Sequence, residues 1–288
     1  MVEAVTPTPV EELHGGVWAK RDDLFTVAGV SGGKARSCHY LATRDPSTKG
    51  LVTAGSRASP QVNIVAHIAA HLGLPCRVHT PTGALSPEVL QARDMGAEVV
   101  QHKAGYNAVI VARAREDAQA RGWLNIPFGM ECSEAVGQTA SQVESLVPLV
   151  QRGAVRRVVL PVGSGMSLCG VLAGIERHGL WEHGLTVLGV VVGADPMKRL
   201  LTYGPRGSLF GGGEVMGDAL VPAYLKDGRL TLTPSGSDYH DPAPDAHTCP
   251  EGWGFGLDPH YEAKCVPHLR HHAGDCLWVV GVRKSLHV

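Results

Sequence analysis

LPVGSGMS, residues 160–167, follows the apolar run RVVL (157–160) and precedes a stretch of helical character at Gly170–Arg177. A glycine-rich turn between a strand and a helix exposes backbone N–H groups at the helix N-terminus, where the helix dipole favours an anion. The hydroxyls of Ser164 and Ser167 add donors, so the turn predicts a phosphate site. The third glycine of the dinucleotide fingerprint is absent, and no acidic residue ends a following strand at the expected distance. A ligand with one phosphate therefore fits better than a dinucleotide.

The same alternation of strand and helix continues along most of the chain. Predicted strands are 50–54, 75–79, 98–101, 157–160, 185–192, 229–232 and 276–282, and predicted helices are 62–72, 86–95, 108–121, 133–150, 170–177 and 261–272. Strands separated by helices of this length indicate βαβ units with parallel pairing. The chain is therefore predicted to be an α/β protein, with residues 233–256 as a long loop.

Composition sets the broad class. The chain has 288 residues, 44% hydrophobic and 18% charged, with a net charge of −1, which is typical of a globular protein and does not favour nucleic acid binding. No apolar run approaches the roughly 20 residues of a membrane span, and the N-terminus lacks a signal-peptide pattern. Seven cysteines without a C-x-x-C pair favour reduced thiols and a cytoplasmic location. No histidine group completes a metal site.

A lysine directly behind two glycines stands in SGGKAR, residues 31–36. The phosphate-loop pattern G-x-x-x-x-G-K-[ST] does not match its spacing, so Lys34 needs another explanation. A lysine in a glycine turn, combined with a site for one phosphate, indicates pyridoxal 5′-phosphate (PLP), which forms a Schiff base with a lysine amine.

Four stretches in order then resemble one family. KRDD followed by GGKAR (20–36) resembles KRDDL…GGNKxRK, TAGSRASPQ (53–61) resembles TxGGxQSNH, GSGMSLCG (163–170) resembles GSGGTxAG, and LDPHYEAK (257–264) resembles DPVYEGK. These motifs are those of the 1-aminocyclopropane-1-carboxylate deaminase and D-cysteine desulfhydrase family, within the fold type II (tryptophan synthase β-like) PLP enzymes. The resemblance runs over about residues 18–282.

The resemblance implies a role for each matched residue. Lys34 would form the Schiff base and move a proton, Ser59 would contact the substrate carboxylate or act at ring opening, and Tyr261 would face the substrate. Glu262 would bind the pyridine nitrogen and keep it protonated. The phosphate would be held by Gly163, Ser164, Gly165, Met166 and Ser167. Plain structural roles stay open: Ser59 is also a good helix N-cap, and Lys264 is interpreted as a solvated residue.

Three departures from the family pattern bear on the substrate. Pro60 stands where the family has an asparagine that contacts the cofactor's 3-hydroxyl, and Gln61 is the candidate replacement. Arg57 enters the same loop, where a guanidinium suits a substrate carboxylate or phosphate. The sequence ends with residues 283–288 where the family continues with an HTGG-like segment, and a more open site would admit a larger substrate.

The resemblance implies two three-layer α/β domains with parallel sheets and the cofactor in the cleft between them. A small domain, 47–148, would be inserted into a large PLP-binding domain made of 1–46 and 149–288, and the protein would be a homodimer. The expected function is a deaminating lyase that removes ammonia or a β-substituent from an amino acid through a quinonoid. Alternatives are PLP-dependent decarboxylation or β-substitution on an amino acid attached to a larger molecule such as a nucleotide, and a non-catalytic descendant that binds PLP or an amino acid.

Overall fold

A computed structural model describes residues 6–56, 59–103, 107–208 and 216–281. The predictions for Arg57 and for residues 283–288 lie outside this part of the chain. The contacts divide the chain into two units: unit 1 contains Phe25–Ala135, and unit 2 contains residues 6–24 and 136–281. The domain boundaries expected from the sequence differ from these bounds and stay a prediction.

Strands and helices alternate along most of the described chain. The strands are β1 Val10–Leu13, β2 Val17–Arg21, β3 Thr26–Val27, β4 Val30–Ser31, β5 Leu51–Ala54, β6 Cys76–Pro81, β7 Glu98–His102, β8 Leu124–Ile126, β9 Arg157–Val162, β10 Thr186–Val191, β11 Arg206–Ser208, β12 Met216–Ala219, β13 Leu230–Pro234 and β14 Asp275–Val279. The α-helices are α1 Gly33–Thr43, α2 Pro60–His71, α3 Pro87–Asp94, α4 Asn107–Arg121, α5 Ser133–Ala140, α6 Val147–Gln151, α7 Met166–Arg177, α8 Met197–Tyr203, α9 Val221–Lys226 and α10 Asp245–Thr248.

Unit 1 is built on a parallel four-stranded sheet in the order β7-β6-β5-β8. All four residues of its inner strand β5 are buried. Since successive strand residues point to opposite sides, both faces of the strand are covered. Leu51 packs into a core with residues of α1 and α2, and Val52 packs on the other face with residues of α4. Helices therefore cover both faces of this sheet.

Unit 2 is built on a six-stranded sheet in the order β1-β2-β14-β9-β10-β13. The pairing of β1 with β2 is antiparallel and the other pairings are parallel. Val158 and Leu160 of β9 join the core on one face, whereas Val159 joins the core on the other. The α/β fold with parallel sheets is thus confirmed.

Several regions differ from the sequence-based expectation. The helix predicted over 261–272 is a 3₁₀ segment, Glu262–His268, and the loop predicted over 233–256 contains the short helix α10. The helix predicted over 133–150 consists of α5, a 3₁₀ turn at Ser141–Leu146 and α6, which has a proline in its first turn. The β1–β2 hairpin was not predicted, because β2 ends in the charged residues Lys20 and Arg21, which are nevertheless buried. No helix among the described residues combines the length and the apolar character required to cross a membrane.

Candidate cofactor site

The glycine turn lies where unit 2 passes from β9 to α7. β9 ends at Val162, and Gly165 is the N-cap of α7 with φ +90°, a left-handed conformation that favours glycine. The first N–H groups of a helix have no partner within it, so the turn after β9 presents donors to an anion. Ser164 and Ser167 are partly exposed there, whereas the Met166 side chain is buried in the core and leaves only its backbone for binding.

Two further contacts explain why position 163 is a glycine. A Cβ on Gly163 would lie 3.0 Å from both Cε1 and Oη of Tyr261. A Cβ on Gly193, which follows the neighbouring strand β10, would lie 3.2 Å from the carbonyl oxygen of Gly163. The backbone of the turn is therefore enclosed on two sides. Sequence reasoning missed Gly193, although a glycine directly after a buried strand, next to another such turn, is a usable signal.

Tyr261 lies in unit 2 beside a second tyrosine that the sequence did not single out. Its hydroxyl is 3.2 Å from the hydroxyl of Tyr239, and the two rings meet edge to face with centroids 5.7 Å apart. Tyr239 belongs to the segment expected to be a long loop. A tyrosine in a loop carries no periodic pattern, so only the fold reveals this pairing.

Glu262 follows Tyr261 directly and is fully buried. Its Oε1 accepts hydrogen bonds from the backbone N–H groups of Val280, at 2.9 Å, and Gly281, at 3.1 Å, just after β14. Oε2 is buried and has no hydrogen-bond partner among the described residues. Burial, with a smaller contribution from the Asp258 carboxyl, raises the pKa of Glu262 to about 8. A buried carboxyl oxygen without a partner is costly, which makes it a candidate for contact with a ligand.

Lys34 lies in unit 1 as the second residue of α1. Gly32 caps this helix with φ +89°, a conformation that favours glycine. This explains why a glycine stands at this position, two residues before the lysine. The N–H of Gly32 donates to the carbonyl oxygen of Phe25 at 2.9 Å, which fixes the turn. The Lys34 side chain is half-buried.

Ser59 and Gln61 lie at the start of α2 in unit 1. The Ser59 hydroxyl accepts a hydrogen bond from the Gln61 N–H at 3.3 Å and so caps the helix, and Pro60 occupies the first helical position, where its missing N–H costs nothing. The Ser59 hydrogen bond and the position of Pro60 both match the alternative in which Ser59 acts as a helix N-cap. The catalytic and substrate-binding roles of Ser59 stay predictions.

The Gln61 amide is buried and engaged within unit 1. Its Nε2 donates to Thr53 Oγ1 at 3.0 Å and to the Pro127 carbonyl at 2.8 Å, while its Oε1 accepts from the Gly129 N–H at 2.8 Å. Both hydrogens of Nε2 are engaged, so Nε2 would have to give up one of these bonds to reach a cofactor, whereas Oε1 has a second lone pair for a hydroxyl donor. The predicted cofactor contact of Gln61 therefore stays a prediction.

The interpretation of Lys264 as a solvated residue was wrong. Its side chain is 3% exposed, and Nζ donates to the Asp238 carbonyl oxygen at 2.6 Å. The described residues also contain no group of three or more His, Cys, Asp or Glu side chains arranged to hold a metal ion.

Comparison with known proteins identifies the class of protein. The family model described as pyridoxal-phosphate dependent enzyme matches residues 2–213. The chain belongs to this family, and the resemblance to the fold type II PLP enzymes is confirmed.

Particular relatives carry the name 1-aminocyclopropane-1-carboxylate deaminase. The protein from Ralstonia pickettii is 30% identical over 154 residues, which are 44% of this chain and 44% of that protein. The protein from Cyberlindnera saturnus is 24% identical over 294 residues, 91% of this chain and 85% of that protein. The match to the first of these thus spans less than half of its length. A solved structure of an ACC deaminase homologue has a TM-score of 0.70 at 19% identity and covers 96% of this chain and 89% of its own, which shows the shared fold.

Proposed function

We propose that this chain is a PLP-dependent lyase that removes ammonia or a β-substituent from a small amino acid. Family membership supports the cofactor, and the names of the relatives support deaminating chemistry. The observation that carries the proposal is Glu262, a fully buried carboxyl with one oxygen that lacks a partner among the described residues. Such a group fits a cationic ring nitrogen, since an opposite charge favours the ionised carboxylate.

The residues of unit 2 fit the two ends of PLP. The N-terminus of α7, with Gly163, Ser164, Gly165 and Ser167, offers donors for the phosphate. Glu262 Oε2 offers an acceptor for the pyridine nitrogen. In unit 1, Lys34 is the candidate amine for the cofactor aldehyde. When bound, PLP supplies an electron-withdrawing ring that stabilises negative charge on the substrate Cα.

The side chains of the chain then have separate tasks. Lys34 takes or returns a proton at the substrate carbon. Tyr261, with Tyr239 at 3.2 Å, provides a pair of hydroxyls that orients the substrate or moves a proton. Glu262, held by two backbone N–H groups, keeps its free oxygen in one position. A cytoplasmic location, a homodimer and a substrate-carboxylate site at Ser59 and Arg57 remain part of this proposal.

The test is the visible absorption spectrum of the purified protein with and without borohydride, beside Lys34→Ala. We expect a yellow band that borohydride bleaches and that the variant lacks, with Lys49→Ala, an exposed lysine of unit 1, as the matched control that keeps it. A protein that stays colourless when PLP is added would overturn the proposal.

A second assay identifies the reaction. Holoenzyme is incubated with 1-aminocyclopropane-1-carboxylate, serine, threonine and D-cysteine, and ammonia and keto acid are measured. Their release supports the lyase assignment. Release of carbon dioxide, or formation of an intact substituted amine, would replace it with decarboxylation or β-substitution.

A further inference from the structure

Unit 2 contains a buried lysine that bonds to the backbone of the residue before Tyr239. Lys264 lies in the 3₁₀ segment Glu262–His268, is 3% exposed, and donates from Nζ to the Asp238 carbonyl at 2.6 Å. Lysine is almost never fully buried unless its charge is compensated. Burial lowers the pKa of Lys264, and the carboxylates of Asp241, Asp238 and Asp258 oppose this effect. An ammonium kept in such a place needs a reason beyond packing.

The carbonyl that Lys264 binds belongs to the residue before Tyr239. The Tyr239 backbone has a side-chain contact of its own, because its carbonyl oxygen lies 3.3 Å from Nδ1 of His260. Residues 260 and 264 therefore contact the two successive carbonyl oxygens of the Asp238–Tyr239 backbone. Between them in sequence lie Tyr261 and Glu262, the two residues of unit 2 that the proposed function places next to substrate and cofactor.

The segment that is held in this way has little regular structure of its own. Residues 235–243 form neither strand nor helix. Their backbone bonds to the rest of unit 2 include Ser235 N–H to the Val191 carbonyl and Ala243 N–H to the Pro259 carbonyl, one near each end. A segment with few backbone bonds opens locally at low cost unless side chains hold it. Its middle, where Tyr239 lies, thus depends on contacts such as the one from Lys264.

We propose that Lys264 is a positioning residue: its ammonium holds the Asp238–Tyr239 turn so that the Tyr239 hydroxyl stays within hydrogen-bond reach of Tyr261. The consequence for catalysis rests on the proposed function, whereas the positioning itself is a property of unit 2. His260 assists through its contact with the Tyr239 carbonyl oxygen. It stands where the motif DPVYEGK has valine, so this half of the arrangement differs from that motif.

The first test is amide hydrogen exchange of the purified full chain, in Lys264→Met and in the matched control Lys226→Met. Lys226 is exposed at the end of α9. We expect exchange across 235–243 to become about tenfold faster or more in Lys264→Met, with other peptides of unit 2 unchanged and with no change in Lys226→Met. Unchanged exchange across 235–243, or an equal rise throughout unit 2, overturns the proposal.

If Lys264→Met does not fold, the same experiment is made with Lys264→Gln. The glutamine amide nitrogen is one bond closer to the backbone than Nζ, so it does not reach the Asp238 carbonyl. The same local rise in exchange is expected, and its absence overturns the proposal. Lys264→Arg keeps a charged donor with sufficient reach and is expected to retain most of the protection.

The second test separates positioning from general stability. In holoenzyme with an active substrate, Lys264→Met and Tyr239→Phe are each expected to lower kcat about tenfold to a hundredfold, because misplacement by about 1 Å has effects of this size. Since both act through the same hydroxyl, the double variant should lose little more than the worse single variant. Fully multiplicative losses overturn the proposal. If no PLP-dependent activity is found, the proposed function fails, and the exchange experiment still decides the role of Lys264.

Discussion

Tyr261 lies against the α-carbon of Gly163, so that a Cβ on Gly163 would lie 3.0 Å from the Tyr261 hydroxyl oxygen. The two residues are nearly a hundred positions apart in the chain, and the contact brings a predicted substrate residue to the first residue of the predicted phosphate turn. The missing side chain at Gly163 thus has a specific steric reason. The turn after β9 thus packs directly against the ring of Tyr261.

Gly163→Ala should weaken PLP binding more than it weakens the fold. The new methyl group must displace Tyr261, and overpacking of this kind costs about 1–3 kcal/mol, which corresponds to about 5-fold to 150-fold in affinity. The measurement is a PLP titration followed by absorbance, with thermal unfolding in parallel. Gly137→Ala is the control, because a Cβ there meets nothing within 4 Å. Equal PLP affinity in both variants would contradict the assignment of the turn.

Glu262→Gln should change how stability depends on pH in the protein without cofactor. The folded-state pKa of Glu262 is raised from 4.5 to about 8, so its contribution to stability is fully present below 4.5 and is lost as the pH rises through about 8. Relative to Glu262→Gln, the wild-type free energy of unfolding should therefore fall by a few kcal/mol over this window.

Urea unfolding at a series of pH values measures this difference. Glu144→Gln, an exposed position in unit 2, is expected to follow the wild-type curve. Addition of PLP should weaken the wild-type dependence, because a ring nitrogen would pair the free carboxyl oxygen. A wild-type curve parallel to that of Glu262→Gln would show that this carboxyl does not titrate in that range.

Gln61→Met should destabilise unit 1 by about 2 kcal/mol or more. The substitution keeps the approximate volume but leaves the Pro127 carbonyl and the Gly129 N–H without their amide partner, and each unmet buried group costs about 1–3 kcal/mol. Chemical denaturation measures the loss. Gln119→Met on the exposed side of α4 is the control and should stay within about 0.5 kcal/mol of wild type. If Gln61→Met left the stability unchanged, the hydrogen bonds of Gln61 would not be needed for the fold. That result would support Gln61 as a cofactor contact.

Asp117→Asn should loosen the packing of α4 on its sheet. The Asp117 carboxylate accepts from Arg77 Nε at 2.6 Å and from Arg121 Nε at 2.9 Å, and it lies 3.0 Å from Nε2 of the buried His79. Loss of the charge leaves these donors poorly paired, and we expect a destabilisation of about 1–3 kcal/mol. Asp94→Asn, at an exposed position, serves as the comparison in the same unfolding experiment. Equal stability of the two variants would mean that water replaces the lost hydrogen bonds to Asp117 at no cost in stability.

Local patterns in the sequence were sufficient for much of the fold. The apolar runs 157–160 and 185–192 predicted β9 and β10, and the glycine turn after the first of them predicted the start of a helix, because these features depend on neighbours within one strand or one helical turn. The hairpin β1–β2 escaped prediction for the opposite reason. Lys20 and Arg21 are polar in sequence, and only their partners elsewhere in unit 2 make their burial acceptable.

The candidate site shows the same division. By itself the sequence determined the α/β alternation, the glycine turn of residues 163–167 and the family to which its motifs belong. Only the tertiary structure decided that Glu262 is buried with one oxygen unpartnered, that Tyr239 meets Tyr261, and that Lys264 is buried rather than solvated. The physical reason is that burial and pairing depend on segments brought together by packing, and no periodicity within a single segment encodes which distant group it will meet.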